Sequence, residues 1–119
     1  MAAEEIKSRH PQALIEVVEL DLARLSSVFA LVKYLSSRDI SIDILINNAG
    51  KLVLSRFSSD SNSGAMLAPS RTPDGFDTQF STNYLGHFLL TVGLYETGSL
   101  ASHARIVNVS SAMHWMGTS

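Results

Sequence analysis

The sequence predicts an α/β fold of the doubly wound kind, built around a parallel sheet. Segments with strand character alternate with segments of helical periodicity, in the order strand, helix, strand, helix, strand, which favours parallel strands joined by right-handed crossovers. Polar residues also collect where the predicted strands end: Asp21, Asn47, Asn48, Ser110 and Ser111. Because such sheets bind ligands beyond the carboxyl ends of their strands, we expect a binding site at that edge.

Short apolar runs predict the three strands. Residues 13–20, ALIEVVEL, are rich in β-branched side chains and are flanked by polar chain, as is typical of a strand covered on both faces. A second run from Ile40 to Asn48 is followed at once by Ala49-Gly50, and a third extends from Ala104 to Val109. Each therefore ends at one of the polar positions above.

Two helices are predicted between the strands. The first covers 23–38, with apolar residues at helical spacing. The second covers 74–95, because Thr72 can cap it, Pro73 suits the first helical position and Asp74 complements the helix dipole. One stripe of this second helix contains Phe76, Phe80, Asn83, His87, Leu90 and Leu94. An amide and an imidazole thus interrupt an otherwise apolar face.

The whole chain, 1–119, is predicted to be a single domain with one disordered insertion at 51–64. Five serines lie between Ser55 and Ser63, and such a segment buries too little apolar surface to offset its ordering entropy. The connection is also far longer than the usual two to six residues or so. Its origin stays open between a translated intron, since Gly50-Lys51 can be encoded by GGTAAG, and a genuine surface loop.

Composition excludes several function classes. With 9 Lys+Arg against 11 Asp+Glu there is no basic field for nucleic acid, and no apolar stretch reaches the ~18 residues that a membrane span needs. The chain has no cysteine, which excludes disulfides and thiolate metal sites and suits an intracellular protein. The four histidines, at 10, 87, 103 and 114, lack zinc-ligand spacing, so we expect no metal site.

Four segments, in order and at matching spacing, resemble the short-chain dehydrogenase/reductase family and its retinol dehydrogenase-like branch. They are Glu19 to Leu22, Asp43 to Gly50, Asp74 to Thr91 and Arg105 to His114. The resemblance implies a Rossmann-like fold that binds NAD or NADP. It also implies an oxidoreductase that interconverts an alcohol and a carbonyl in a small lipophilic substrate, such as a retinoid or a steroid.

The resemblance assigns the cofactor-binding residues position by position. Asp21 corresponds to the family's residue at the adenine edge of NAD(P), with Leu22 beside it. Asn48, Ala49 and Gly50 match the segment beneath the cofactor's ribose, where small residues let backbone approach a ligand closely. Without the resemblance, Asp21 would be interpreted as an acid that favours the start of the next helix.

Two catalytic residues are implied in the same way. Ser111 matches the residue that polarises the substrate carbonyl, and Asn83 matches an asparagine that helps to hold a water in a proton relay. From the residues alone, Asn83 could equally be a buried amide with satisfied hydrogen bonds. A hydrolase with Ser110 or Ser111 as nucleophile and His114 as base is disfavoured, because no G-x-S-x-G surrounds them.

Two parts of the family's machinery have no match in the sequence. No set of glycines makes the Gly-rich pyrophosphate turn, and no tyrosine is followed four residues later by lysine; Tyr34 is followed by Arg38. We therefore expect a middle section of a longer enzyme, inactive and not certain to bind cofactor by itself. The family's strand order, three-two-one-four-five, leaves the strand at 13–20 without neighbours, so we expect the sheet to be incomplete or re-paired.

Two other hypotheses remain. The chain could be a catalytically inactive fragment that acts by binding another protein, and an oligomer would then form through the helix 74–95, because the equivalent helix often packs subunits together in the family. Alternatively, the sequence is a partial gene model with no function. NAD and NADP are not distinguished, since the residues that usually discriminate them belong to the unmatched second strand.

Overall fold

The computed structural model describes residues 2–51 and 70–111. Its elements, in chain order, are α1 (Ala2–Arg9), α2 (Leu25–Ser37), β1 (Ile42–Asn47), α3 (Thr78–Phe80), a π-helical turn (Ser81–Leu85), α4 (Gly86–Glu96) and β2 (Leu100–Asn108). The elements α3, π-turn and α4 follow one another without a break and are called the long helix below. It connects β1 to β2, while α2 lies before the sheet in the chain.

The two strands pair in parallel. A regular ladder joins residues 44–47 of β1 to 105–108 of β2, and it follows a register shift after the pair Ile42 and Leu100. The α/β class and the parallel pairing of the second and third predicted strands are confirmed. β2 begins at Leu100, four residues before its predicted start at Ala104.

The predicted strand at 13–20 is wrong. This segment belongs to no strand and no helix, and the exposed fractions of Leu14 and Val17 are 102% and 71%. A β-branched sequence becomes a strand only against a neighbour that offers hydrogen bonds and a surface to pack on. In the described part of the chain the one sheet is β1–β2, and residues 13–20 do not join it.

Two contacts attach this segment to α2. In its middle, the Glu16 carboxylate pairs with Arg38 Nη1 at 2.6 Å and accepts a hydrogen bond from the Tyr34 hydroxyl. Just after it, the backbone N–H of Asp21 donates to Ser27 Oγ at 2.9 Å. The segment therefore runs along α2 rather than beside β1.

The helix predicted at 74–95 begins later than expected, at Thr78. Gly75 has a φ of +87°, which no helix accommodates, and its N–H donates to the Thr72 carbonyl to close a turn. The hydroxyl of Thr72 accepts from Phe76 N–H in the same turn. Asp77 is the actual cap, since its side chain accepts from Phe80 N–H at 2.9 Å.

The hydrophobic core lies between α2 and α4. Its buried members are Leu22, Val28, Val32, Leu90 and Leu94. The predicted helix 23–38 is confirmed as α2, and the buried side chains of Leu90 and Leu94 lie on the predicted stripe. Phe76 and Phe80 are 40% and 49% exposed instead. Phe76 lies in the turn before the helix, and the extra residue of the π-turn rotates Phe80 by about 100° relative to α4.

The predicted insertion at 51–64 lies outside the described residues except for Lys51, and so does His114.

Candidate functional site

Three polar side chains of the long helix bond to β1 and the chain that leaves it. Asn83 accepts from Lys51 N–H at 2.7 Å and donates to the Lys51 carbonyl at 2.9 Å. His87 Nε2 lies 2.7 Å from the Ala49 carbonyl oxygen. Thr91 Oγ1 accepts from Asn47 Nδ2 at 3.1 Å. We call Asn83, His87 and Thr91 the polar ladder.

The polar ladder can make all three contacts because the distance between its members along the helix nearly equals the distance between their partners along the chain. Its members are four residues apart on the helix, a rise of about 6.0 Å. Their partners Asn47, Ala49 and Lys51 are two residues apart on extended chain, a rise of about 6.6 Å. One helix face therefore fixes three alternate residues in a defined position, the last residue of β1 and two in the chain just beyond it.

Asn47 is the anchor of this arrangement. It is 6% exposed, and its Nδ2 also donates to Asn108 Oδ1 at 2.8 Å, which links the two strand ends. The pairing of β1 with β2 continues one residue further, because the Val109 N–H donates to the Asn47 carbonyl at 3.0 Å. Asn47 thus ties the two neighbouring strands together through its side chain and its backbone.

A groove of about 320 Å³ opens beside the polar ladder. The ladder and the strand-end residues Asn47 and Asn108 form its polar side, whereas Tyr84, Phe88 and Val109 form an apolar side. The Tyr84 and Phe88 rings stack with centroids 6.1 Å apart. The groove lies at the carboxyl ends of both strands, where the sequence predicted a site.

Two buried polar atoms of residues that line this groove have no hydrogen-bond partner among the described residues: Asn47 Oδ1 and His87 Nδ1. Since His87 Nε2 faces a carbonyl oxygen, Nε2 carries a proton and is the donor of this hydrogen bond.

The predicted catalytic serine lies beyond the groove. β2 ends at Asn108, and Ser111 follows three residues later in an exposed, non-helical position, next to the equally exposed Ser110. Neither serine lines the groove, which reaches only to Val109. The role of Ser111 stays a prediction.

Asn83, the other predicted catalytic residue, uses its side chain on the protein itself. Both polar atoms of its amide are bonded to Lys51 backbone. The residue is nevertheless exposed. The interpretation of Asn83 as a buried amide with satisfied hydrogen bonds therefore holds for the hydrogen bonds but not for the burial. A role for Asn83 in a water relay stays a prediction.

The two residues predicted at the adenine edge, Asp21 and Leu22, differ in their exposure. Asp21 is exposed; its Oδ1 accepts from Ala23 N–H at 2.9 Å, and its Oδ2 is 3.3 Å from Arg24 Nε. Leu22 is 5% exposed and belongs to the core, and its carbonyl oxygen faces Ser81 of the long helix. The local contacts of Asp21 match its alternative interpretation as a residue that organises the start of α2.

Asn48, Ala49 and Gly50 are exposed and form a short shelf after β1. Other glycines have evident structural reasons in this chain. Gly75 and Gly98 have positive φ angles, and a Cβ at Gly86 would lie 2.6 Å from the Leu22 carbonyl oxygen. At Gly50 φ is not positive, and a Cβ would make only an ordinary 3.4 Å contact with Asn83 Oδ1. Among the described residues, nothing in the protein itself requires glycine at position 50.

Tyr34 and Arg38, the sequence's nearest approach to a tyrosine–lysine pair, are not a catalytic base and its activator. The Tyr34 hydroxyl donates a hydrogen bond to the Glu16 carboxylate, which raises the pKa of Tyr34 above its usual value. An acid/base tyrosine needs a lowered pKa instead. Arg38 is bonded to Glu16 and holds the segment 13–20 in place.

Residues 2–51 and 70–111 contain no group of three or more histidines, aspartates and glutamates that could hold a metal ion. Within the same two ranges, no helix is both long and apolar enough to cross a bilayer.

His87 and Thr91 were not predicted as site residues, and Asn47 was predicted only as one of the polar residues at the strand ends. A signal was present in the spacing, because Asn83, His87 and Thr91 recur every fourth residue and so lie on one helix face. That face meets the alternate residues of Asn47-Asn48-Ala49-Gly50-Lys51.

Comparison with known proteins places these observations in a family context. The family model for short chain dehydrogenase matches residues 1–118. Retinol dehydrogenase 12 of Mus musculus is 38% identical over 117 residues, a match that covers 98% of this chain and 33% of that protein. Polyprenol dehydrogenase of Danio rerio is 38% identical over 121 residues, with the same two coverages of 98% and 33%. The chain spans about a third of the length of these relatives.

One solved structure is also similar, a crystal structure of an uncharacterized protein from Mycobacterium paratuberculosis. It has a TM-score of 0.67 and 37% sequence identity to this chain, and the match covers 98% of this chain and 36% of that one.

Proposed function

The chain belongs to the short-chain dehydrogenase family, and we propose that it supplies the ribose-side shelf of an NAD(P) site together with the carbonyl-polarising serine. The reaction would be the interconversion of an alcohol and a carbonyl. When bound, the cofactor supplies or accepts the hydride. Everything else would be done by the protein: holding the cofactor, orienting the substrate and moving a proton.

Gly50 is the observation that carries this proposal. Among the described residues, neither a positive φ nor close packing calls for glycine at position 50, and its neighbours Asn48 and Ala49 are exposed. A ligand that lies directly against the backbone would account for the missing side chain. The shelf is also held firmly, by Asn83 and His87, as a surface that positions a cofactor must be.

Asn83 is proposed as a positioning residue in this scheme. By bonding to both backbone groups of Lys51, its amide fixes the outer end of the shelf. Asp21 would meet the adenine edge through the part of its carboxylate that Ala23 and Arg24 leave accessible, since its side chain is 50% exposed.

Ser111 is proposed to donate a hydrogen bond to the substrate carbonyl, where negative charge develops during hydride transfer. Tyr34 is not proposed as the base for the proton, because its hydrogen bond to Glu16 raises its pKa, the wrong direction for that role.

The proposed substrates are small lipophilic alcohols or carbonyl compounds. Relatives named for retinol and for polyprenol support this class. The apolar side of the groove, formed by Tyr84, Phe88 and Val109, offers matching surface within reach of the strand ends. Selectivity between NAD and NADP is not part of the proposal.

Titration of the 119-residue chain with NADH and with NADPH tests the cofactor site. The expected result is a saturable change at micromolar cofactor, in Trp115 fluorescence or in that of the reduced nicotinamide. Absence of any response up to millimolar cofactor would contradict the proposal and favour the candidate below.

Protein binding is the second candidate function, and an exposed row of aromatic side chains on the long helix favours it. Phe80, Tyr84 and Phe88 are about half exposed and in ring contact, with centroids 5.4 and 6.1 Å apart. Such a row is typical of a helix that docks on another protein, including a second copy. Tyr84→Lys should then abolish association with a partner and leave the fold intact.

A further inference from the structure

We propose that Asp74 is a positioning residue for the cofactor: it fixes the first turn of α2 and, through it, the Asp21 carboxylate at the adenine edge. This inference rests on the proposed function, because it takes Asp21 as the residue that meets the adenine. It follows from a contact between two residues 49 positions apart in the chain. The sequence predicted another role for Asp74, at the start of the helix 74–95.

The first turn of α2 takes its acidic partner from outside the helix. The backbone N–H of Leu25, the first residue of α2, donates to Asp74 Oδ2 at 3.0 Å. α2 has no acidic residue in its own first turn, and Arg24, just before it, makes no side-chain capping bond within the described residues. The first N–H groups of a helix lack partners within it and carry partial positive charge, so a carboxylate stabilises them. Asp74 therefore caps α2 from a distant part of the chain.

Asp74 is itself held in a closed turn before the long helix. Thr72, which is 6% exposed, donates its N–H to the Phe76 carbonyl at 2.8 Å and accepts from Phe76 N–H at its hydroxyl. The Gly75 N–H donates to the Thr72 carbonyl at 2.9 Å, and the Gly75 carbonyl accepts from Arg71 Nη1 at 2.8 Å. These bonds lie on both sides of Asp74 in the chain, so the turn holds its carboxylate in place.

The start of α2 in turn orients the Asp21 carboxylate. Asp21 Oδ1 accepts from Ala23 N–H at 2.9 Å, and Asp21 Oδ2 lies 3.3 Å from Arg24 Nε. Both partners directly precede Leu25, whose N–H is bonded to Asp74. Because the residues 23–25 are consecutive, a shift of Leu25 would move the partners of the Asp21 carboxylate with it. The orientation of Asp21 therefore depends on Asp74.

The residue after Asp21 is attached directly to the long helix. Ser81 Oγ donates to the Leu22 carbonyl at 3.4 Å, and a Cβ at Gly86 would lie 2.6 Å from the same oxygen. Ser81 and Gly86 are five residues apart, and they face the same neighbour because the π-turn bonds the Gly86 N–H to the Ser81 carbonyl. The π-turn thus provides the surface on which the adenine edge rests.

The long helix therefore carries both parts of the proposed cofactor site. Its π-turn also holds Lys51, just beyond the shelf 48–50, through Asn83. A dinucleotide would contact the adenine edge and the shelf at once, and such a surface binds well only when both parts are fixed before the ligand arrives. Loss of the Asp74 contact should loosen the adenine edge and leave the shelf in place.

Titration of the 119-residue chain with NADH and with its two halves, adenosine monophosphate and reduced nicotinamide mononucleotide, tests the proposal. Asp74→Ala removes the acceptor and should weaken binding of NADH and of adenosine monophosphate about tenfold, without changing the binding of the nicotinamide half. Asp74→Asn keeps an acceptor oxygen and should bind all three like the parent chain. If Asp74→Ala binds adenosine monophosphate like the parent, or weakens both halves equally, the proposal is overturned.

Gly75→Ala is the control for lost stability, because it strains the same turn and keeps the Asp74 carboxylate. It should lower the melting temperature and leave the affinity for NADH and adenosine monophosphate unchanged. If it weakens binding of adenosine monophosphate as much as Asp74→Ala does, the stability of the turn and not the Asp74 contact is responsible, and the proposal is wrong.

Amide hydrogen exchange without cofactor separates this inference from the proposed function. The Ala23 N–H donates to the Asp21 carboxylate and therefore reports the position of that carboxylate. Exchange at Ala23 and Leu25 should become faster in Asp74→Ala and stay unchanged in Asp74→Asn. If the parent chain bound no cofactor, the proposed function would fail, while this difference in exchange would still show that Asp74 positions Asp21. Unchanged exchange at Ala23 in Asp74→Ala would overturn the positioning role even if the parent chain binds NADH.

Discussion

The side-chain amide of Asn83 pairs with the backbone of Lys51 as a neighbouring strand would, accepting at 2.7 Å from its N–H and donating at 2.9 Å to its carbonyl. Two hydrogen bonds from one side chain thus fix the chain just beyond the shelf 48–50. The other members of the polar ladder, His87 and Thr91, contact Ala49 and Asn47. The helix therefore determines where the shelf lies.

Asn83→Ala should release the outer end of the shelf. We expect a loss of about 1–2 kcal/mol in the free energy of unfolding, since both bonds are exposed to water. Exchange of the Lys51 amide should also become faster. Thermal unfolding and hydrogen exchange measure the two effects, and Asn48→Ala is the matched control because the Asn48 side chain has no hydrogen bond among the described residues. Equal behaviour of the two variants would show that the Asn83 contact is unimportant.

Thr91→Val should weaken the inner end of the ladder. The hydroxyl accepts from Asn47 Nδ2 and donates to the His87 carbonyl at 2.8 Å, and valine keeps the shape while removing both bonds. The expected loss is about 1 kcal/mol in the free energy of unfolding. Thr91→Ser, which keeps the hydroxyl, should lose less of the shelf's protection from hydrogen exchange, and the reverse order would contradict this reading of the ladder.

Gly86→Ala should be among the most destabilising changes in the long helix. Its Cβ would lie 2.6 Å from the Leu22 carbonyl oxygen and 2.9 Å from Leu22 Cβ, so backbone must move. We expect a loss of about 2–4 kcal/mol in the free energy of unfolding. Gly75→Ala has open space but a φ of +87°, and should cost about 1–2 kcal/mol. A chemical-denaturation series that ranks the two variants the other way would refute the close contact between Leu22 and the helix.

The attachment of Glu16 to α2 should depend on pH. The hydrogen bond from Tyr34, and then that from Arg38, lower the pKa of Glu16. The contact is therefore fully present above the ordinary glutamate value, about 4.3, and is lost as the pH falls through the lowered one. NMR contacts between Glu16 and Tyr34 should disappear in acid, and Glu16→Gln should abolish this transition while Glu19→Gln preserves it. A contact that persists at pH 2 or so would argue against ionic attachment.

Elements with a complete local signal were predictable. α2 has its own apolar periodicity and β1 its own apolar run, so their sequences determine them wherever a core exists. The segment 13–20 has an equally good local signal, but a strand is completed by its neighbour and none is present in the described residues. The start of β2 was missed because Ser102 and His103 are polar and only the pairing of Ile42 with Leu100 marks it.

The start of the long helix and the contacts that hold the shelf could not be predicted from the sequence, for a second reason. Thr72 and Asp77 are both capable caps, and the positive φ of Gly75 decides between them, which a sequence does not display. The positions of Asn48, Ala49 and Gly50 at the sheet edge followed from strand order. The part of His87 in holding them depends on how a helix and an extended chain come to lie side by side.

Cofactor binding by Gly50→Ala tests the central claim, that the shelf 48–50 lies against NAD(P). The added methyl group has room within the protein, 3.4 Å from Asn83 Oδ1, and so should leave the melting temperature unchanged. We predict that it weakens NADH or NADPH binding about tenfold or more, the effect of losing close contact over a few atoms. Gly75→Ala is the opposite control, with a lower melting temperature and unchanged affinity. If Gly50→Ala binds cofactor as tightly as the parent chain, or if the parent chain binds none, the claim is contradicted.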